Sequence, residues 1–175
     1  MEFNRLIDDR HSVRVFLPKK VPRQAFHRIL KACQRAPSAG NLQSYELVVI
    51  TDEKKKKELC NAAYGQECII EAPIVLVFLA DTKKSGHVYG ERGKELYALQ
   101  DATIACAYSQ LMATNVGVAS VWIGAFDEEM VKNLVNTKEY RPIAILPIGY
   151  PGEKIITTPR RELERFVHDE RFEYK

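Results

Sequence analysis

Ile74-Val75-Leu76-Val77-Phe78-Leu79-Ala80 is an unbroken run of seven apolar residues, rich in β-branched and aromatic side chains. A half-buried strand would alternate apolar and polar positions, so this run reads as a strand covered on both faces. Such a strand belongs at the centre of a sheet with helices on either side. Three weaker strand signals lie around it: Leu47 to Ile50, Val118 to Ile123, and Ala144 to Ile148.

Helical patterns fill the gaps between the strands. Val21 to Arg35 opens with Pro22 and places Phe26, Ile29, Leu30 and Cys33 at helical spacing. Pro37 stops it, because a proline pushes the residue before it out of the helical region. Thr51-Asp52-Glu53 sets acids at a helix N-terminus, and Lys54 to Lys57 then reads as a solvated face. Asp81 to Gly93 holds Gly86, Gly90 and Gly93 with little periodicity and is expected to be a flexible loop. Lys94 to Val116 is the longest helical pattern. Leu96, Tyr97, Leu99, Ile104, Tyr108, Leu111 and Met112 cover more than one of its faces, and alanines fill much of the rest. A helix apolar nearly all round is central, and in so small a protein it calls for a partner surface as well. Gly117 ends it, and Asp127 caps a further helix to about Val135. Strands and helices alternate without Asn-Gly hairpin signals, so the class is α/β or α+β around one sheet.

Length and composition exclude more than they name. The 175 residues suit one domain spanning residues 1–175. A net charge of +3, mixed along the chain, argues against nucleic acid or a membrane surface as partner. No apolar run approaches the roughly 20 residues of a membrane helix, and the start lacks a signal-peptide core, so a cytoplasmic protein is expected. Cys33, Cys60, Cys68 and Cys106 match neither a CxxC pair nor a zinc ribbon, and His11, His27, His87 and His168 are scattered. Free buried thiols and no metal site are the expectation.

Three segments gather groups that could bind something. Arg10-His11-Ser12-Val13-Arg14 holds two guanidiniums and a hydroxyl, which suit phosphate or a planar carbonyl edge; two exposed arginines at a helix end would look the same. Pro37-Ser38-Ala39-Gly40-Asn41-Leu42-Gln43 concentrates hydroxyl and amide groups between a helix and a strand, as a ligand loop or a plain loop would. Trp122-Ile123-Gly124-Ala125-Phe126 places a glycine where main-chain N–H groups can approach a ligand, or where a strand simply ends.

In order and spacing, RHSVR, APSAGNLQ, VWIGAFD, and PIGYP followed by an arginine pair resemble the nitroreductase family of flavin-dependent oxidoreductases, from Arg10 to Arg161. The resemblance implies a three-layer α+β fold (α/β/α). Its central mixed sheet would be flanked by helices, and a C-terminal extension would wrap the partner of a homodimer. It implies FMN as cofactor, NADH or NADPH as hydride donor to flavin N5, and a small acceptor such as a nitroaromatic or quinone in a ping-pong reaction. A flavin-binding carrier or sensor with little reductase activity is the alternative.

The same resemblance implies roles for residues. Arg10, Ser12 and Arg14 would contact FMN, with His11 alongside through its backbone and Arg14 near the flavin pyrimidine. Pro37, Ser38, Ala39, Asn41 and Gln43 would reach the flavin of the other subunit, and Gln66 would read the pyrimidine edge. Trp122, Ile123, Gly124 and Ala125 would line the flavin, the last two with backbone near N5. Arg160 or Arg161 would hold the phosphate, and no side chain would be catalytic in its own right. Tyr64, Tyr89 and Tyr97 lie near the expected mouth. Ser44-Tyr45 stands where many members have Pro-Trp, Gly124 where some have glutamate, and the inserted helices of longer members are reduced to Asp81–Gly93.

Overall fold

A computed structural model describes residues 2–155, 157–172 and 174. Helix α1 (Phe3–Asp9) leads into the short strand β1 (Phe16–Leu17), then α2 (Arg23–Gln34), a 3-10 turn (Ala39–Asn41) and β2 (Tyr45–Ile50). Next come α3 (Glu53–Ala62), α4 (Cys68–Glu71) and β3 (Ile74–Ala80). Helix α5 (Thr82–Arg92) passes through a π-helical turn (Gly93–Tyr97) into the long α6 (Ala98–Asn115). Strand β4 (Ala119–Ser120), α7 (Glu128–Leu134), β5 (Arg141–Pro151) and a 3-10 turn (Leu163–Arg165) complete the order.

The sheet runs β1-β5-β3-β2, and β4 also pairs with β5. Its ladders are antiparallel, and one parallel bridge, Ser12 to Ser120, makes it mixed. All seven residues of β3 are buried, as the apolar run predicts. Val75, Val77 and Leu79 pack with α3, α4 and α7 through Leu59, Ile69 and Val131. Ile74, Leu76 and Phe78 pack with α2 and α6 through Ile29, Cys33, Ala105 and Cys106. Helices thus cover both faces, giving the three-layer α+β arrangement.

Helix α6 turns its small residues inward: Ala98, Ala102, Ala105 and Ala113 are buried, while Tyr108 is exposed and Leu111 and Met112 are half-buried. Alanine at the contact lets the helix axis sit close to β3, which leaves the larger side chains facing away. Asp52 and Asp127 cap α3 and α7 by accepting the backbone N–H of Lys55 and Met130, each at 2.9 Å.

Three expectations are corrected. Asp81–Gly93 is not a loop: Asp81 caps α5 by accepting Lys84 N–H at 2.9 Å, and Gly86 and Gly93 permit close packing. A Cβ on Gly93 would collide with the Ser85 carbonyl, so the π-helical turn can lie on α5 only with glycine there. Gly90, at φ 61°, kinks α5 near its C-terminal end. Val118–Ile123 is a continuous strand only over Ala119–Ser120. Opposite Val121 stands Pro147, which accepts the Val121 N–H at 3.4 Å but has no N–H to return; pairing resumes at Ile123, bridged to Ile145. Lys54–Lys57 is not a uniformly solvated face, because the Lys56 side chain is only 3% exposed. Its ammonium donates to the carbonyls of Ile70 (2.8 Å) and Ala72 (3.0 Å), satisfying the C-terminal end of α4.

Candidate functional site

The segment Arg10–Arg14 is extended and lies along β4: Val13 N–H donates to the Ser120 carbonyl at 3.2 Å, and Ser12 bridges Ser120. Side chains alternate along such a segment. Val13 is buried, so Arg10, Ser12 and Arg14 share the opposite side, where Ser12 and Arg14 are exposed and Arg10 half-exposed. The Arg14 backbone is tethered by its N–H to the Glu153 carboxylate, and Phe16 N–H donates to Glu71 Oε2 at 2.9 Å. These two bonds fix where the Arg14 side chain leaves the sheet.

Beyond β4 the chain continues along β5 until the Ile123–Ile145 bridge, after which Gly124 and Ala125 are exposed. A Cβ on Gly124 would meet the Trp122 indole in ordinary van der Waals contact, 3.5 Å from Nε1 and 3.9 Å from Cδ1. Gln66 joins this strip from α4's side: its Nε2 donates to the carbonyls of Ala63 (3.2 Å) and Ala125 (3.3 Å). With both N–H groups used, Oε1 remains as an acceptor. The turn that delivers Gln66 uses left-handed backbone at Tyr64 and Gly65, and Tyr64 itself is 72% exposed.

Arg14 also reaches this corner electrostatically. Burial pushes the Cys68 thiol up to about 11, with the Arg14 guanidinium opposing that rise. Burial likewise raises the Tyr45 hydroxyl to about 12. In the unfolded chain both would ionise at ordinary values, about 8.5 and 10. Folded-state values above unfolded ones stabilise fully below about pH 8.5, and that contribution is lost as pH rises toward 11–12. The melting temperature should therefore fall steadily between pH 8.5 and 11. A flat profile over that range would contradict the burial assigned to these groups.

The polar loop sits elsewhere on the chain. It precedes β2, whose Tyr45 pairs with Ala80, whereas Ser120 pairs with Ile148 near the other end of β5. Three strand spacings, about 14 Å, separate β2 from β4. Ser38 Oγ accepts Gln43 N–H at 2.9 Å, and Gln43 Nε2 donates to Asn41 O at 3.1 Å. Gly40, Asn41 and Gln43 all have positive φ, and the Tyr89 hydroxyl lies where a Cβ of Gly40 would be. Tyr89 and Tyr97 stack edge to face at 5.2 Å and belong to this region, away from Tyr64.

Other expected residues fall apart from both groups. Arg161 stacks over Phe166 within the tail, 5.1 Å from its ring centroid, and the exposed Arg160 also lies in the tail. His11 and Val13 line a cavity of about 440 Å³ with Asp9, Thr114 and Gly117 on the side opposite Arg10, Ser12 and Arg14. Sequence reasoning passed over Asp101, Lys56, Glu71 and Glu153, each of which holds a segment of the site in place. For Lys56 a signal existed: it shares a helical face with the buried Leu59 and Cys60.

The nitroreductase family model matches residues 7–68 and 61–150. This chain belongs to the nitroreductase family. It is 32% identical to an NADH dehydrogenase of Thermus thermophilus over 90% of this chain and 91% of that protein. It is 28% identical to an FMN reductase [NAD(P)H] of Bacillus subtilis, over 95% of this chain and 72% of that one. An FMN-dependent nitroreductase from Clostridium difficile superposes with a TM-score of 0.82 at 26% identity, covering 95% of this chain and 98% of that one. The nitroreductase fold is thus shared with these relatives. In this member, Ser44 and Tyr45 are tied inward, Tyr45 donating to the Cys33 carbonyl at 2.9 Å.

Proposed function

We propose that this chain is an FMN-dependent oxidoreductase that draws hydride from NADH or NADPH and works as a homodimer. Bound FMN would supply the chemistry, accepting hydride at N5 and passing it to a small acceptor such as a nitroaromatic or quinone. The observation that carries this reading is the convergence of Arg10, Ser12, Arg14, the tethered Gln66 amide and the exposed Gly124–Ala125 backbone on one strip beside β5.

That donor set suits FMN. The guanidiniums of Arg10 and Arg14 and the Ser12 hydroxyl favour an anionic ligand with planar carbonyl edges. Gln66 Oε1 would accept the ring N–H that a flavin pyrimidine presents between its two carbonyls. Gly124 and Ala125 offer exposed backbone for the flavin edge to approach. Arg14 would hold positive charge where a reduced flavin gathers negative charge. No side chain forms a covalent bond; the residues bind, orient and set the local potential.

Two features support a dimer. The tail carries Leu163, Phe166, Val167 and Phe172 at 47–68% exposure, an unusual load of apolar surface. The loop residues Pro37, Ser38, Ala39, Asn41 and Gln43 lie away from the strip of their own chain, so they would meet the flavin of a second copy. Arg160 and Arg161, on the same tail, would reach a phosphate in the same way.

One measurement tests the reading: size-exclusion chromatography with light scattering and absorbance detection. Flavin absorbance should travel with a species of about twice the chain mass of 20.0 kDa and bleach on adding NADH or NADPH. A colourless protein that takes up no FMN would sink the proposal. Yellow protein whose flavin is reduced only very slowly would favour a carrier or sensor instead.

A further inference from the structure

Asp101 lies in α6 with only 2% of its surface exposed. Its carboxylate does not serve the helix. Oδ1 accepts the backbone N–H of Ala39 at 2.9 Å, and Oδ2 accepts both the backbone N–H of Ser44, at 3.3 Å, and the Ser44 hydroxyl. Ala39 and Ser44 flank the stretch in which Gly40, Asn41 and Gln43 all adopt left-handed backbone.

Such backbone is unfavourable for asparagine and costlier still for glutamine, and it persists only where surrounding contacts over-determine it. The bonds inside the loop, Gln43 to Ser38 and Gln43 to Asn41, close it on itself without fixing it to the body of the protein. Asp101 supplies that fixation at both ends at once, and charge-assisted bonds of this kind are about twice as strong as neutral ones. From the outside, the Tyr89 hydroxyl presses on Gly40.

We propose that Asp101 is a positioning residue that clamps the Ala39–Ser44 loop in the shape needed to meet the flavin of a second copy. The proposal rests on the FMN-dimer reading above. The Ser44 hydroxyl is specific to the clamp: a proline at this position would have neither the hydroxyl nor the N–H that Asp101 accepts.

The test compares the full-length wild-type protein with Asp101→Asn and Ser44→Ala, reconstituted with FMN. Asparagine keeps the size of the side chain but turns an NH2 toward one of the N–H donors, breaking one end of the clamp. Hydrogen exchange of residues 37–45 reads the loop without reference to flavin, and it should quicken at least tenfold in Asp101→Asn. FMN affinity by fluorescence titration should fall at least tenfold, with a shifted visible flavin spectrum. Ser44→Ala, which leaves both N–H bonds in place, should change in the same direction by a smaller factor and keeps the proposal testable should Asp101→Asn fail to fold. Wild-type FMN affinity and spectrum in folded Asp101→Asn overturn the proposal, as do unchanged values in Ser44→Ala when only that variant folds. If the wild type takes up no FMN at all, the FMN reading fails; quickened exchange in the variants would then still establish Asp101 as the loop's clamp.

Discussion

An Arg14→Ala protein should lose FMN readily, its dissociation constant raised about 10- to 100-fold over the wild type. A hydrogen bond to a charged group is worth about 1.5–3 kcal/mol, and about 1.4 kcal/mol is tenfold in affinity. The fold should hardly notice. The Arg14 side chain is exposed, and the contacts that place this segment belong to its backbone and to the buried Val13. Melting of the flavin-free protein should therefore stay within about 0.5 kcal/mol of wild type. Arg14 also restrains the upward shift of the Cys68 thiol, so this thiol should react still more slowly with a thiol reagent at pH 9 in the variant. Fluorescence titration with FMN measures the main effect, and an unchanged affinity would remove Arg14 from the site.

Lys56→Met should produce the largest loss of stability, about 2–4 kcal/mol. Methionine fills a similar volume but leaves the carbonyls of Ile70 and Ala72 without their donor in a buried place. The ion pair to Glu53 adds little to this figure, because Glu53 is 72% exposed. For a chain of this length a loss of 3 kcal/mol lowers the melting temperature by roughly 6–12 °C. Differential scanning calorimetry reads it directly; a melting point within 2 °C of wild type would mean that the carbonyls find water instead. Hydrogen exchange should quicken first in residues 66–72, since Lys56 ties down the end of α4 that follows Gln66.

What could be read from the residues depended on whether local pattern or distant packing decided each case. The apolar run of β3 announced burial on both faces, since nothing polar interrupts it, but not its direction; antiparallel pairing on both sides came from the connections around it. Arg10, Ser12 and Arg14 share a face because alternation is a property of extended chain alone. The glycines of 86–93 misled, because glycine permits both freedom and close approach, and only the contact between Gly93 and Ser85 shows which applies. Lys56 was hidden inside a charged run although it keeps step with Leu59 and Cys60. Asp101 keeps step with Ala98, Ala102 and Ala105 on the buried side of α6, so one acid among alanines was a signal that went unread. The loop's distance from Arg14 lay beyond any local pattern, being set by the strand order.

The place of β5 bears on how the molecule comes into being during synthesis. Phe16 pairs with Pro151 and Ser120 with Ile148, so the strip that gathers Arg10–Arg14 is bounded by a strand near the far end of the chain. Contacts of such separation close late, because the long loop's entropy must be overcome before they form. A nascent chain that has not yet released Pro151 from the ribosome can pair β2 with β3 and pack α2 beside them, but it has no edge on which to lay its N-terminal arginines. The strip therefore closes only through contacts of long sequence separation, and a polypeptide stopped short of residue 141 would expose β3 as a bare apolar edge.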